Sequence, residues 1–163
     1  MKLNLGNCFI WILVAVFQRG AGCPTGFLSH GTDCYHFSHD METWIGALQM
    51  CRELDSYLVE INDPAENEFI KTMAKQRNTM YWLALSDVRE EGTWIWMDSH
   101  TPLVAKNFSD WNSGEPDNLH KNENCAAMYR VGHHGSWSWS DMACSTNLHY
   151  ICELKAGNTE LVG

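Results

Sequence analysis

Basic residues are scarce in this chain, with 11 Lys and Arg against 20 Asp and Glu, a net charge of −9. Nucleic acids and anionic lipid surfaces are held through many Lys and Arg contacts, so neither is an expected partner. Long apolar runs are missing as well. The most apolar stretch, Phe9 to Phe17, is about half of the roughly 20 residues a membrane span needs, and no membrane insertion is expected. There is no CxxC pair to suggest zinc and no GxSxG motif to suggest a nucleophilic enzyme. Internal repeats, low-complexity tracts, collagen triplets and coiled-coil heptads are also absent, so any homo-oligomer has to form through the domain itself.

Met1-Lys2, the apolar run and the small residues Gly20, Ala21 and Gly22 have the build of a secretory signal peptide over 1–22. Its removal takes Lys2 and Arg19 and no acid, leaving 141 residues of net charge −11, the size of one domain. Cys8 leaves with it. The remaining cysteines, at 23, 34, 51, 125, 144 and 152, are an even number in an export context and read as three disulfides. Their spacing does not choose among the possible pairings.

Periodicity supplies a coarse map. Residues 26–28 and 35–37 flank a polar link and read as a hairpin. Asp40 is placed to cap a helix whose Trp44, Ala47, Leu48, Cys51 and Leu54 share one face. Strand 57–61 is followed by Asn62-Asp63-Pro64-Ala65-Glu66, a cap, a first-turn proline and an early acid for a second helix to about Lys75, with Phe69, Ile70 and Met73 inward. Further strands are read at 81–85, 93–97, 126–129, 137–140 and 149–152. Helices early and strands late make an α+β pattern. The turn-rich, polar stretch from His100 to Glu123 has the length of a functional loop.

Within and just after it, Glu115, Asp117, Glu123 and Asp141 gather around Pro116 and between Cys125 and Cys144. Carboxylates held close repel one another unless a hard cation sits among them. Ca2+, which takes six to eight oxygens in irregular geometry, is the natural occupant and leaves positions for outside hydroxyls.

Cysteines 51, 125, 144 and 152, the Tyr-Trp-Leu-Ala-Leu strand, Trp111 before Glu-Pro-Asp, and Trp139-Ser140-Asp141 before Cys144 together resemble the C-type lectin-like domain. The match covers residues 23–154, and 155–163 reads as a short tail. The resemblance implies a C-type lectin-like fold of two helices, two small antiparallel sheets and a long calcium-binding loop region, with disulfides Cys23–Cys34, Cys51–Cys152 and Cys125–Cys144. It also implies that Glu115, Asp117, Glu123, Ser140 and Asp141 ligate Ca2+ and bond two neighbouring sugar hydroxyls, with a cis peptide bond before Pro116. Trp137 and His120 are placed to border the saccharide. Asp87, Glu91, Asn118 and Asn124 stand where the family has auxiliary calcium ligands. Asn107-Phe108-Ser109 is a glycosylation acceptor in a secreted loop.

Two positions depart from the family pattern. Ser140 replaces its usual Asn, and Glu115-Pro116-Asp117 is a hybrid of the mannose-type Glu-Pro-Asn and the galactose-type Gln-Pro-Asp. An ionised Asp117 only accepts hydrogen bonds, so both sugar hydroxyls must donate. Broad glycan recognition with a mannose-type lean follows. The leading reading is a secreted calcium-dependent lectin for microbial or cell-surface glycans, not an enzyme. The alternative is a module for protein binding or a mineral matrix, a role that overlaps in perlucin-like lectins.

Overall fold

The computed structural model describes residues 22–132 and 136–156. The expected signal segment, the His133-His134 loop tip and most of the tail lie outside the described residues. In chain order the elements are β1 (Leu28–His30), β2 (Asp33–Phe37), α1 (Trp44–Glu53), β3 (Tyr57–Leu58), α2 (Pro64–Arg77), β4 (Tyr81–Ser86), β5 (Ile95–Trp96), a 3-10 turn (Leu119–Lys121), β6 (Cys125–Val131), β7 (Ser136–Met142) and β8 (His149–Leu154).

Two antiparallel groups of strands carry the fold. The first is the β1–β2 hairpin continued onto β8, which also takes β3, so that Glu153 stands opposite both Tyr35 and Tyr57. In the second, β4 takes β5 and β6, and β6 takes β7. A short parallel pairing, Tyr81 to His149 and Trp82 to Tyr150, joins them. β4 is buried along its whole length, as a run of Tyr-Trp-Leu-Ala-Leu requires. Trp82, Trp96, Trp139, Leu58, Ile61, Ile70 and Met128 fill the core around it.

Local chemistry departs from the sequence reading at several element ends. Thr43, not Asp40, caps α1, its Oγ1 accepting the Gly46 N–H at 3.2 Å. Asp40 instead accepts the Tyr150 hydroxyl at 3.1 Å. Leu54 is the C-cap and 42% exposed, so the buried face consists of Trp44, Ala47 and Cys51. Asp63 caps α2 through the N–H groups of Ala65 and Glu66, and the helix passes Lys75 to end at Arg77, where Asn78 turns left-handed. Strands 57–61 and 93–97 shrink to two residues each. Beyond those pairs the backbone bonds singly, as in Val59 N–H to Ile151 O and Met97 N–H to Ala84 O, both 2.9 Å.

Three disulfides tie these parts: Cys23–Cys34 at the hairpin, Cys51–Cys152 from α1 to β8, and Cys125–Cys144 between the start of β6 and the chain after β7. No helix among the described residues is long and apolar enough to cross a membrane.

Candidate metal centre

Antiparallel register sets Ala126 of β6 opposite Asp141 of β7, so the loop entering β6 meets the acid near the end of β7. The preceding loop is fastened to the same strand by backbone: Trp139 N–H donates to Asp110 O and Asn112 N–H to Trp139 O, each at 2.8 Å. Trp111 seals the junction edge-on against Trp94 and Trp139, with ring centroids 4.8 and 5.8 Å apart. A turn at Gly114, whose φ of +94° suits a residue without Cβ, lets Glu115 N–H reach Asn112 O at 2.9 Å. The Glu115–Pro116 bond is cis.

Asp141 is the hub. It is 2% exposed, and its two oxygens accept the N–H groups of Asp117 at 3.1 Å and Asn118 at 2.8 Å. One carboxylate oxygen each from Glu115, Asp117 and Asp141 lie within 4.8 Å of one another. The Ser140 hydroxyl donates to the Asp141 carbonyl at 3.3 Å. Glu123 stands to one side, Oε2 accepting the Leu119 N–H at 3.0 Å and its own N–H donating to Asn118 Oδ1 at 3.1 Å.

Crowding shows in the proton affinities. Burial, and then the hydrogen-bonded Asp141 carboxylate, push Glu115 up to about 7. Burial, followed by Asp141 and Asp117, raises Glu123 against the pull of the Leu119 N–H.

The donor set fits calcium. Glu115 Oε2 is buried with no hydrogen-bond partner, an oxygen waiting for a cation. A spread of 4.8 Å is about twice a calcium–oxygen bond of roughly 2.3–2.6 Å. No nitrogen or sulfur stands among these donors, as a zinc or copper site would require.

The auxiliary positions adjoin this cluster. Asp87 is 3% exposed, with Oδ2 accepting the Gly92 N–H at 2.8 Å and Oδ1 buried without a partner. Burial, then Glu91 and Asp141, raise its carboxyl. Asn118 bridges the two groups: its amide donates to Glu91, while its oxygen and backbone N–H reach Glu123 and Asp141. Asn124 enters through its backbone carbonyl, which accepts from the Ser86 hydroxyl at 2.6 Å and the Asp87 N–H at 3.2 Å.

One expected member is elsewhere. Trp137 shares the face of β7 that carries Trp139, is 5% exposed, and lines a cleft against α2 with Lys71 and Lys75. It lies four residues along the strand from Asp141, about 13 Å at the usual rise. Asn107 is half-buried, its Nδ2 donating to Pro102 O at 3.3 Å.

The family model described as "Lectin C-type domain" matches residues 40–154. The chain belongs to the C-type lectin domain family. A perlucin-like protein of Mytilus galloprovincialis is 32% identical over 151 residues, 88% of this chain and 92% of its own length. Human C-type lectin domain family 17, member A is 38% identical over 137 residues, 84% of this chain but 33% of that longer protein. Among solved structures, the cow CD23 carbohydrate-recognition domain in the presence of GlcNAc2Man3 oligosaccharide superposes with a TM-score of 0.72 at 34% identity, covering 83% of this chain and 98% of that one. C-type lectin domains bind rather than catalyse.

Sequence reasoning missed a second set of acids, Glu60, Asp98 and Glu153, and gave Glu66, which joins them, only the place of an early helix acid. No local motif marks them. A faint signal existed in acids placed within apolar strand patterns, Val59-Glu60-Ile61 and Cys152-Glu153-Leu154.

Proposed function

We propose that this chain is a secreted, calcium-dependent glycan-binding lectin whose ligands are Glu115, Asp117 and Asp141, completed by Glu123 and Ser140. The observation that carries the reading is the convergence of three carboxylates on one point with a buried, unpartnered Glu115 oxygen. Calcium, when bound, supplies coordination to two neighbouring sugar hydroxyls. The protein does the rest. Carboxylates left facing outward accept hydrogen bonds from those hydroxyls, and the backbone donors on Asp141 hold its oxygens fixed. Asp117 already accepts the Leu119 N–H at 3.0 Å, and as a carboxylate it offers a sugar no donor. Recognition is therefore broad, with a lean to mannose-type equatorial diols, and His120 on the exposed 3-10 turn borders the sugar.

Auxiliary calcium at Asp87, Glu91, Asn118 and the Asn124 region stiffens the loop from beneath. Shallow single sites bind weakly, so use on microbial or cell-surface glycans requires several sites together, supplied by self-association of the domain. The likeness to the CD23 domain with its mannose-bearing oligosaccharide supports this reading. Retention on a mannose resin, with and without a calcium chelator, tests it on wild type and Glu123→Ala. Calcium-dependent retention lost in the variant is expected. Retention that ignores the chelator overturns the assignment, and binding confined to galactosides on a glycan array overturns the mannose lean.

A further inference from the structure

Most of the surface of this acidic chain repels anions, but one cleft reverses the sign. The residues of α2 at positions 68, 71, 72 and 75 follow helical three- and four-residue steps and form one face, which looks onto Ser136 and Trp137 at the start of β7. The alignment of strand and helix explains why. Trp139 Nε1 donates to Asn67 Oδ1 at 3.0 Å, and two residues back along β7 is about the same distance as one turn along α2. Trp137 therefore meets Lys71 and Lys75. Arg130 is directly opposite Trp137 across the β6–β7 ladder and so shares its face, with Nη1 on Asn78 Oδ1 at 2.9 Å.

Charge within this cleft is unevenly spent. Lys71 is paired twice, with Asp110 at 3.0 Å and Glu68 at 3.2 Å. Among the described residues Lys75 pairs with no acid, and Arg130 touches only a neutral amide, so both keep their charge for an outside group. A further donor is built in. Trp137 is 5% exposed, yet its indole N–H donates to no group among the described residues. An unused N–H on the same strand face as one of two unneutralised cations suits an acceptor-rich anion.

We propose that the cleft between α2 and the start of β7 is a second, calcium-independent site for the oxyanion of an acidic saccharide, a sulfate ester or a carboxylate. Lys75 and Arg130 supply the charge, and the Trp137 indole N–H fixes orientation. Lys71 offsets only one of the two carboxylates, Glu68 and Asp110, and with Lys75 and Arg130 the five groups still leave one positive charge in excess. The site lies away from the carboxylate cluster, so the two can engage different groups on one polysaccharide.

The test is binding of dextran sulfate, a polyuronate and plain dextran to the protein in a calcium chelator, at moderate salt. Dextran sulfate or the polyuronate should bind and plain dextran should not, and which charged polymer binds assigns the anion. Lys75→Gln with Arg130→Gln should weaken binding at least about tenfold, and Trp137→Phe, which keeps the packing, about threefold. Arg89→Gln with Lys106→Gln, cations outside the cleft, should change nothing. Binding by neither polyanion, or equal losses in the cleft and control variants, overturns the proposal. Mannose-resin retention in calcium, run in parallel, reports folding of each variant and stands or falls separately, so failure at one site does not pass for failure at the other.

Discussion

Glu115, Asp117 and Asp141 face one another at the loop above β7, while Glu60, Glu66, Asp98 and Glu153 surround the strands β3 and β8. In the second group, Glu60, Glu66 and Glu153 accept from donors of the fold itself, while Asp98 keeps one buried oxygen, Oδ2, without a partner. Glu60 Oε1 accepts the N–H groups of Asp98 and Ser99, each at 2.9 Å, and Glu66 accepts the Tyr35 hydroxyl at 2.8 Å and the Asn62 N–H at 3.0 Å. Glu153 accepts the Glu60 N–H at 3.4 Å. These acids tie neighbouring segments together. In the loop group, Glu115 has an unpartnered buried oxygen and stands within a cluster of two other carboxylates. Similar residues thus serve cohesion where, like Glu60, Glu66 and Glu153, they meet protein donors, and suit a cation where they face each other.

The largest test of that contrast is Asp141→Ala. It removes a carboxylate from the centre and the acceptor for two backbone N–H groups, so calcium affinity should fall at least about 100-fold by calorimetry, with mannose retention lost. Glu60→Gln should leave calcium affinity within a factor of about two. Equal losses in the two variants would erase the distinction.

Next comes the disulfide beside each group. Removing Cys125–Cys144 or Cys51–Cys152 should each cost about 2–5 kcal/mol of stability by chemical denaturation. Only the first should also weaken calcium binding, since it braces the chain on either side of Asp141 and Glu123.

The two groups also respond to pH with opposite sign. Burial, then the Glu66 charge, push Glu153 up to about 8, outweighing Lys155, whose ammonium is 3.5 Å away but 39% exposed. Between its ordinary value near 4.5 and about 8 the folded chain keeps a proton that the unfolded chain releases, so stability falls as pH rises through this window. Glu153→Gln copies the protonated form and should raise the melting temperature at pH 8 by about 5 °C, with little change near pH 5. At the loop the competition runs the other way. Glu115 must lose its proton to hold a metal, so calcium affinity should fall as pH drops through about 7. A calcium affinity flat from pH 8 to 5 would break this half of the contrast.

The smallest effect is expected at Asp87→Asn. Its loss should remove one bound calcium from the stoichiometry and leave mannose retention at saturating calcium within a factor of about two.

Much of the loop centre is legible in the primary structure because its parts sit at short, stereotyped distances from Cys125 and Cys144. The helices are legible too: Asp63-Pro64 starts α2 by local hydrogen bonding alone, and Trp44, Ala47 and Cys51 mark the buried face of α1 by period. The cap of α1 is not legible in the same way, because Asp40 and Thr43 are both competent caps, and Tyr150, more than a hundred residues away, takes Asp40 for itself.

Amino-acid order alone settled the family pattern, the acidity and the carboxylates available to a metal, since these depend on composition and on near neighbours. Burial was decided only when distant segments met. Glu153 became a raised acid because β2 and β3 both pair with it, and Trp137 lines the α2 cleft because β7 packs that face against α2, with Trp139 on Asn67. The physical reason is that strand pairing assigns a side chain to a face by register, and register is a property of two strands, never of one.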